Sequence, residues 1–292
     1  MIQLPRHDLC IDAHHHLWRY QAPGPPWMSE ELNILRRDFD LEDLREAAAG
    51  AGVTGTVVVE VERTARETRW LTSIASNDSW IKGVVGWIDL MAPTIHGDLE
   101  LLAELPKIKG VRHPIHDEPD QHFVLREDFN RGIDKLRDWK LSFDLLIYED
   151  HLPQTITFVD RHPNQIFVLD HIAKPRIREG SFHPWREHLI ELGRRENVYC
   201  KLSGMVTESS WESWTAEQIQ PYIETAFEAF GPKRLMFGSD WPIVTLASTY
   251  SRWVDTIHMA IASLSLSEQQ SILWRSATEA YSLHQVVVPS RT

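Results

Sequence analysis

Short apolar runs rich in β-branched residues recur at positions 9–12, 53–60, 83–89, 108–113, 143–148, 166–170, 198–202 and 235–240. Runs of this length without strict alternation fit strands buried on both faces. Between them, positions 41–50, 66–76, 127–139, 183–195 and 221–230 place apolar residues every three or four positions, the pattern of helices with one face on a core. Asp40 precedes the first of these with Asp43 in the third place, and Thr215 precedes Ala216 with Gln218 in the third place, both readable as amino-terminal caps. Gly50 or Gly52 closes the helix before the second run, and Gly231 with Pro232 closes the one before the eighth. Eight strand–helix alternations in 292 residues predict one (β/α)8 TIM barrel domain across the chain, with its core at about 9–283. An open doubly wound sheet shares the alternation. Its phosphate-binding glycine fingerprint is missing after the first strand, where HHHLWRY stands instead. Residues 19–38, carrying Pro23, Pro25 and Pro26, predict a long loop after that strand, over the barrel mouth.

Charge narrows the class. Lys and Arg number 30 against 42 Asp and Glu, and a net charge of −12 argues against nucleic acid or an anionic membrane as partner. No run approaches the roughly 20 apolar residues of a membrane span, and the first residues turn polar too early for a secretory leader. Two cysteines, Cys10 and Cys200, cannot staple a chain this long. The expectation is a cytoplasmic protein acting on a small molecule; its oligomeric state has no signature.

The 15 histidines change the picture through their positions. Barrel chemistry sits where strands end. The predicted ends carry His14, His15 and His16; Glu60; Asp89; Arg112 and His113; Glu149 and Asp150; Asp170 and His171; Lys201 and Ser203; Ser239 and Asp240. By strand alternation Asp12, His14 and His16 share a face, with Ala13 and His15 opposite. Two imidazoles so spaced can hold one metal ion or grip one substrate group. Asp240, ending an apolar strand after Gly238 and Ser239, can ligate, act as a base, or cap a helix. Arg112 and Lys201 can hold a carboxylate or carbonyl, or Arg112 can form an internal ion pair with Glu149 or Asp89.

The blocks IDAHHHLW, VVGWIDL, KGVRHPIHDEPD, FDLLIYEDHLP, FVLDHIAKP, VYCKLSGMVTE and RLMFGSDWPI run in order from about Ile11 to Ala280. Together they resemble the amidohydrolase-2 sugar-lactonase group of the amidohydrolase superfamily. That resemblance implies a barrel hydrolysing a sugar-acid lactone, of the L-fucono-1,5-lactone type or a related aldonolactone, to the hydroxy acid. It implies metal ligands or substrate contacts at His14, His16, His171 and Asp240. The chain departs from the group's pattern at His15 and Ala173, where Gln and Gly are usual, and at Glu60, where Gln is frequent. The expected mechanism places one divalent ion, zinc by its ligand types, on His14 and His16 with Glu149, His171 or Asp240. Catalysis without metal is the alternative, since some members of the group need none. Asp240 then moves the proton of the attacking water, and His171, Arg112 or Lys201 polarises the carbonyl. His113, Trp27, Trp241 and Glu60 are the expected sugar contacts. Two rival readings stay open: a metal-dependent decarboxylase of an unsaturated or aromatic acid, and a barrel that only binds sugar acids.

Overall fold

Eight parallel strands pair in chain order in the computed structural model, which describes residues 9–283. They are β1 (Ile11–His15), β2 (Gly55–Val59), β3 (Ile81–Gly86), β4 (Ile108–Pro114), β5 (Ser142–Leu146), β6 (Phe167–Leu169), β7 (Val198–Leu202) and β8 (Leu235–Phe237). The sheet closes on itself just past β8: Asp240 N donates to His14 O (2.8 Å) and His16 N to Trp241 O (2.7 Å). The barrel read from the alternation is therefore the observed architecture. Residues 1–8, which carry most of the stretch read for a leader, lie outside the described residues. Among the described residues no helix is long and apolar enough to cross a membrane.

The helices are α1 (Leu41–Ala47), α2 (Ala65–Asn77), α3 (Ile95–Ala103), α4 (Glu127–Leu136), α5 (Leu152–Arg161), α6 (Trp185–Gly193), α7 (Ala216–Phe230) and α8 (Tyr250–Ile261). Both predicted caps form reciprocal boxes, Asp40 with Asp43 and Thr215 with Gln218. The first satisfies three amide donors and the second two that would otherwise lack partners at the helix start. In α4 the buried side chains Phe129, Ile133 and Leu136 fall at helical spacing, which seats this helix on the barrel wall.

Two layers of apolar packing follow from strand alternation. Ile11, Ala13, Val57, Val59, Val85, Val168, Tyr199 and Met236 come from six strands and meet inside the barrel. Their neighbours along the strands, such as Val58, Val84, Phe143 and Leu202, pack outward under the helices. After α8 the chain forms three short helical segments between Leu266 and Ala280 and then brings Tyr281 and Leu283 into the inner layer. Lys109 Nζ donates to Ser282 O near the start of β4, so this carboxy-terminal segment covers the end of the barrel where the strands begin. The opposite end, where the strands finish, carries the site.

The loop over residues 19–38 contains a 3-10 turn, Glu30–Leu35, and is pinned at its base by the Trp18–Phe39 bridge. Cys10 and Cys200 are both buried and unlinked.

Candidate active site

The first strand does not alternate as its sequence suggests. Pairing of β1 with β2 shifts register between Asp12 and His15, and β1 runs on to His15 instead of stopping at Asp12. Ile11 and Ala13 point inward, so Asp12 points out of the barrel. There Asp12 Oδ2 accepts from Ser239 Oγ (2.6 Å) and Tyr250 Oη (2.9 Å), and Oδ1 from Ser239 N (2.8 Å). The shift then returns His14 to the interior directly after Ala13. The expected common face of Asp12 and His14 is thus corrected: a bulge puts two consecutive side chains on one side.

His14 Nε2 lies 3.1 Å from His16 Nε2. Asp240 Oδ1 stands 3.7 Å from the first nitrogen, 3.5 Å from the second and 3.9 Å from His171 Nε2. All four residues are buried. Asp240 has a left-handed backbone (φ 58°), sparsely populated for a residue with a Cβ, and it turns the carboxylate back over the barrel axis. His171 to Lys174 are left-handed at four consecutive non-glycine residues, with φ between 48° and 63°. That turn aims the His171 ring at Asp240, and Ser203 Oγ holds its Nδ1 at 2.8 Å. Gly204 (φ +68°) permits the approach, because a Cβ there would stand 2.7 Å from the His171 ring.

Under the imidazoles lies a buried charged layer. Lys201 Nζ touches Asp144 Oδ2 (2.5 Å), Asp170 Oδ1 (2.8 Å) and His14 Nδ1 (3.1 Å). Arg112 pairs with Glu60 Oε1 (2.9 Å) and Asp170 Oδ2 (3.2 Å) and also donates to Glu60 O. Tyr281 Oη, rising from the covered end, donates to Asp144 Oδ2 at 2.7 Å. Burial pushes the Asp144 carboxyl up to about 6 against the pull of Lys201. Burial acts the same way on Asp170, but Lys201 and His14 outweigh it and hold that carboxyl well below its usual range. Burial, then the Lys201 charge, hold His14 well below the usual imidazole range, and burial lowers His171 to about 4. Both rings are therefore neutral near pH 7, the state in which an imidazole nitrogen can ligate a metal.

The donors fit a small divalent cation. His16 Nδ1–H donates to Val59 O (2.8 Å), which leaves Nε2 as a lone pair facing the centre. His14 Nδ1 faces both Asp170 Oδ1 (3.3 Å), to which it would donate, and Lys201 Nζ (3.1 Å), from which it can only accept. The two Nε2 atoms, 3.1 Å apart, must share either a proton or a cation. Ligands at zinc distances of 2.0–2.1 Å in a tetrahedron stand about 3.3 Å apart, close to the spacings here. His14, His16 and Asp240 form one candidate ligand group, and His14, Asp170 and His171 a second.

The amidohydrolase family model matches residues 11–283. The chain belongs to the amidohydrolase family. That membership makes it a hydrolase. It is 35% identical to an L-fucono-1,5-lactonase of Burkholderia multivorans over 94% of this chain and 96% of that one. A crystal structure of an amidohydrolase from Burkholderia multivorans with bound zinc superposes with a TM-score of 0.90 at 35% identity, covering 94% of this chain and 99% of that one. A dihydroxybenzoic acid decarboxylase from Polaromonas, with bound manganese and an inhibitor, shares the fold at 12% identity and a TM-score of 0.62, covering 96% and 98%.

Within this amidohydrolase barrel the expected site residues divide. His14, His16, His171 and Asp240 converge. Glu149 does not join them: its carboxylate accepts from Arg176 N (3.0 Å) and pairs with Arg176 Nη1 (3.2 Å). Arg112 and Lys201 lie in the layer beneath, already engaged by carboxylates, so neither is placed to polarise a carbonyl. The partners of Arg112 are Glu60 and Asp170, not Glu149 or Asp89, and Glu60 is wholly buried in that pair. His113 follows Arg112 and so points outward, stacking on Phe123 (5.0 Å) and bonding Glu118. Trp241 is buried edge-on against Phe39, and Trp27 packs on Trp18. Asp144 escapes the sequence reading, and Asp170, read at a strand end, carries no expected role there. The available signal was an acid in the middle of each otherwise apolar run, FDLLI and FVLDHI.

Proposed function

We propose that the chain hydrolyses a sugar-acid lactone, of the L-fucono-1,5-lactone type or a related aldonolactone, to the open hydroxy acid. The observation that carries this reading is the buried Asp240 carboxylate ringed by three imidazoles, in a chain 35% identical to a lactonase over nearly its whole length. Hydrolysis of a cyclic ester needs a base for water, a donor for the developing oxyanion and a proton for the ring oxygen that leaves.

Asp240 Oδ1 is the oxygen that meets the imidazoles, which leaves Oδ2 to take the proton of the attacking water. The same carboxyl then returns that proton to the departing ring oxygen, so base and acid are one group in sequence. With the Ser203 hydroxyl donating to His171 Nδ1, the Nε2–H of His171 faces the centre as a donor to the carbonyl oxygen. Lys201, Asp144, Asp170 and Arg112 keep His14 oriented and balance charge below the reacting atoms. His14, His16 and Asp240 would hold zinc; the chemistry such an ion supplies when bound is polarisation of the ester carbonyl and acidification of water.

Asp240→Asn keeps the shape and removes the base. In an acid-release assay over fucono-, rhamnono-, galactono- and arabinonolactones, kcat/KM should fall about 100-fold or more, the usual scale of a lost general base. Retention of most activity would remove Asp240 from the proton path, and inactivity of the wild-type protein on every lactone would end the lactonase reading.

A further inference from the structure

The left-handed turn that directs His171 into the barrel delivers Lys174, three residues later, to a different place. A cavity of about 450 Å³ opens at the carboxy-terminal end of the strands, lined by His116 after β4, Tyr148 after β5, Lys174 and Arg176 after β6, and Glu208 after β7. This volume falls within the ~300–1,000 Å³ range of small-molecule sites. Lys174 Nζ stands 2.7 Å from Glu208 Oε1 and 5.6 Å from the centre of the Tyr148 ring. The edge of His116 supports that ring at 4.9 Å. Tyr148 is 41% exposed. Lys174 ends the same left-handed turn that begins with His171, so the cavity opens beside the loop that carries the reacting centre.

The lining selects among ligands. Lys174 and Arg176 oppose a second cation, while Glu149 and Glu208 oppose a free anion. A purely apolar ligand would strip water from the Lys174–Glu208 pair and give nothing back. A hydroxyl group is donor and acceptor at once, and two neighbouring hydroxyls can accept a hydrogen bond from Lys174 and donate one to Glu208 while the C–H face of their ring lies on Tyr148. We infer that Lys174 and Glu208, set beside Tyr148, read adjacent hydroxyls of the lactone ring and are specificity-determining residues of the reaction. The inference rests on the lactonase reading and adds to it the part of the molecule that tells a sugar lactone from a plain one.

The test compares L-fucono-1,5-lactone with δ-valerolactone, the same ring without hydroxyls, in wild type, Lys174→Met and Glu208→Gln. In each variant the ratio of kcat/KM for the hydroxylated over the plain lactone falls at least tenfold, chiefly through KM. Equal losses on both lactones, or an unchanged ratio in both variants, overturn the assignment. Glu208→Gln preserves side-chain size, and an unchanged thermal midpoint shows that its effect is not unfolding. Calorimetric titration with L-fuconate and with 5-hydroxypentanoate keeps the two readings apart. If the wild type opens neither lactone, tighter binding of L-fuconate that both variants lose still supports the hydroxyl subsite, and equal binding of the two acids overturns it.

Discussion

The Asp12 carboxylate holds Ser239 by both of its donors, the amide at 2.8 Å and the hydroxyl at 2.6 Å. One residue further on stands Asp240, so Asp12 acts on the position of that carboxylate through Ser239. Asp12→Asn presents an amide where a hydroxyl from Ser239 and another from Tyr250 must be accepted. Leaving buried donors unmatched costs about 1–3 kcal/mol. The expected outcome is a lowered urea midpoint together with a fall in kcat, while Tyr250→Phe, which deletes a single donor, gives a smaller loss of stability.

Metal affinity separates the converging residues from the one that does not join them. Titrating zinc into metal-free protein by calorimetry, His16→Ala should weaken binding strongly, and Asp170→Asn, which loosens the orientation of His14, by about 10–100-fold. Glu149→Gln should bind within about threefold of wild type, because that carboxylate is turned to Arg176. A loss in Glu149→Gln as large as that in His16→Ala would show that the ligand set lies elsewhere.

Gly204→Ala combines an unfavourable backbone with a clash, since the new methyl would stand 2.7 Å from the His171 ring at φ +68°. A left-handed alanine alone costs about 1–2 kcal/mol. Thermal denaturation should record a loss of at least this size, and the displaced ring should lower kcat beyond what the stability change explains.

Glu67 supplies a pH dependence. Its carboxylate accepts from the amides of Val61 and Glu62, and burial, reinforced by Glu60, pushes it up to about 9. In the unfolded chain the same group releases its proton near 4.5, the ordinary value. Between those values the native state holds a proton that the unfolded state has lost. The stabilisation is therefore fully present below about pH 4.5 and declines as pH rises toward 9, by up to ~1.4 kcal/mol per unit. Urea unfolding of Glu67→Gln at pH 6 and pH 8.5 should show a flatter pH dependence than wild type, and equal slopes would count against a protonated native Glu67.

Eight strands and their order were legible because each is a short apolar run and five of the helices show a period of their own, while α3, α5 and α8 do not stand out in the same way. Boundaries at β1 were not, since a register shift leaves no mark in residue type: IDAHHH reads as strict alternation until the pairing with Gly55 and Val58 is known. His14, His16, His171 and Asp240 stood out as polar groups at the ends of buried strands. Arg112 and Lys201 stood out for the same reason and were assigned too much, because sequence does not reveal that Glu60, Asp144 and Asp170 already occupy them. His113 faces out because it is the neighbour of Arg112, an inward strand residue.

The bonds that close the barrel join strand one to the residues after strand eight, with Ser239 standing 225 positions from His14. A ribosome releases the chain from one end only, so the histidine pair leaves the exit tunnel long before the carboxylate that completes it. Until Asp240 has emerged, the nascent protein holds three imidazoles and not the carboxylate they surround, and the centre waits for the final strand. Truncation anywhere before Asp240 should consequently abolish the centre outright, whatever fraction of the barrel has already formed.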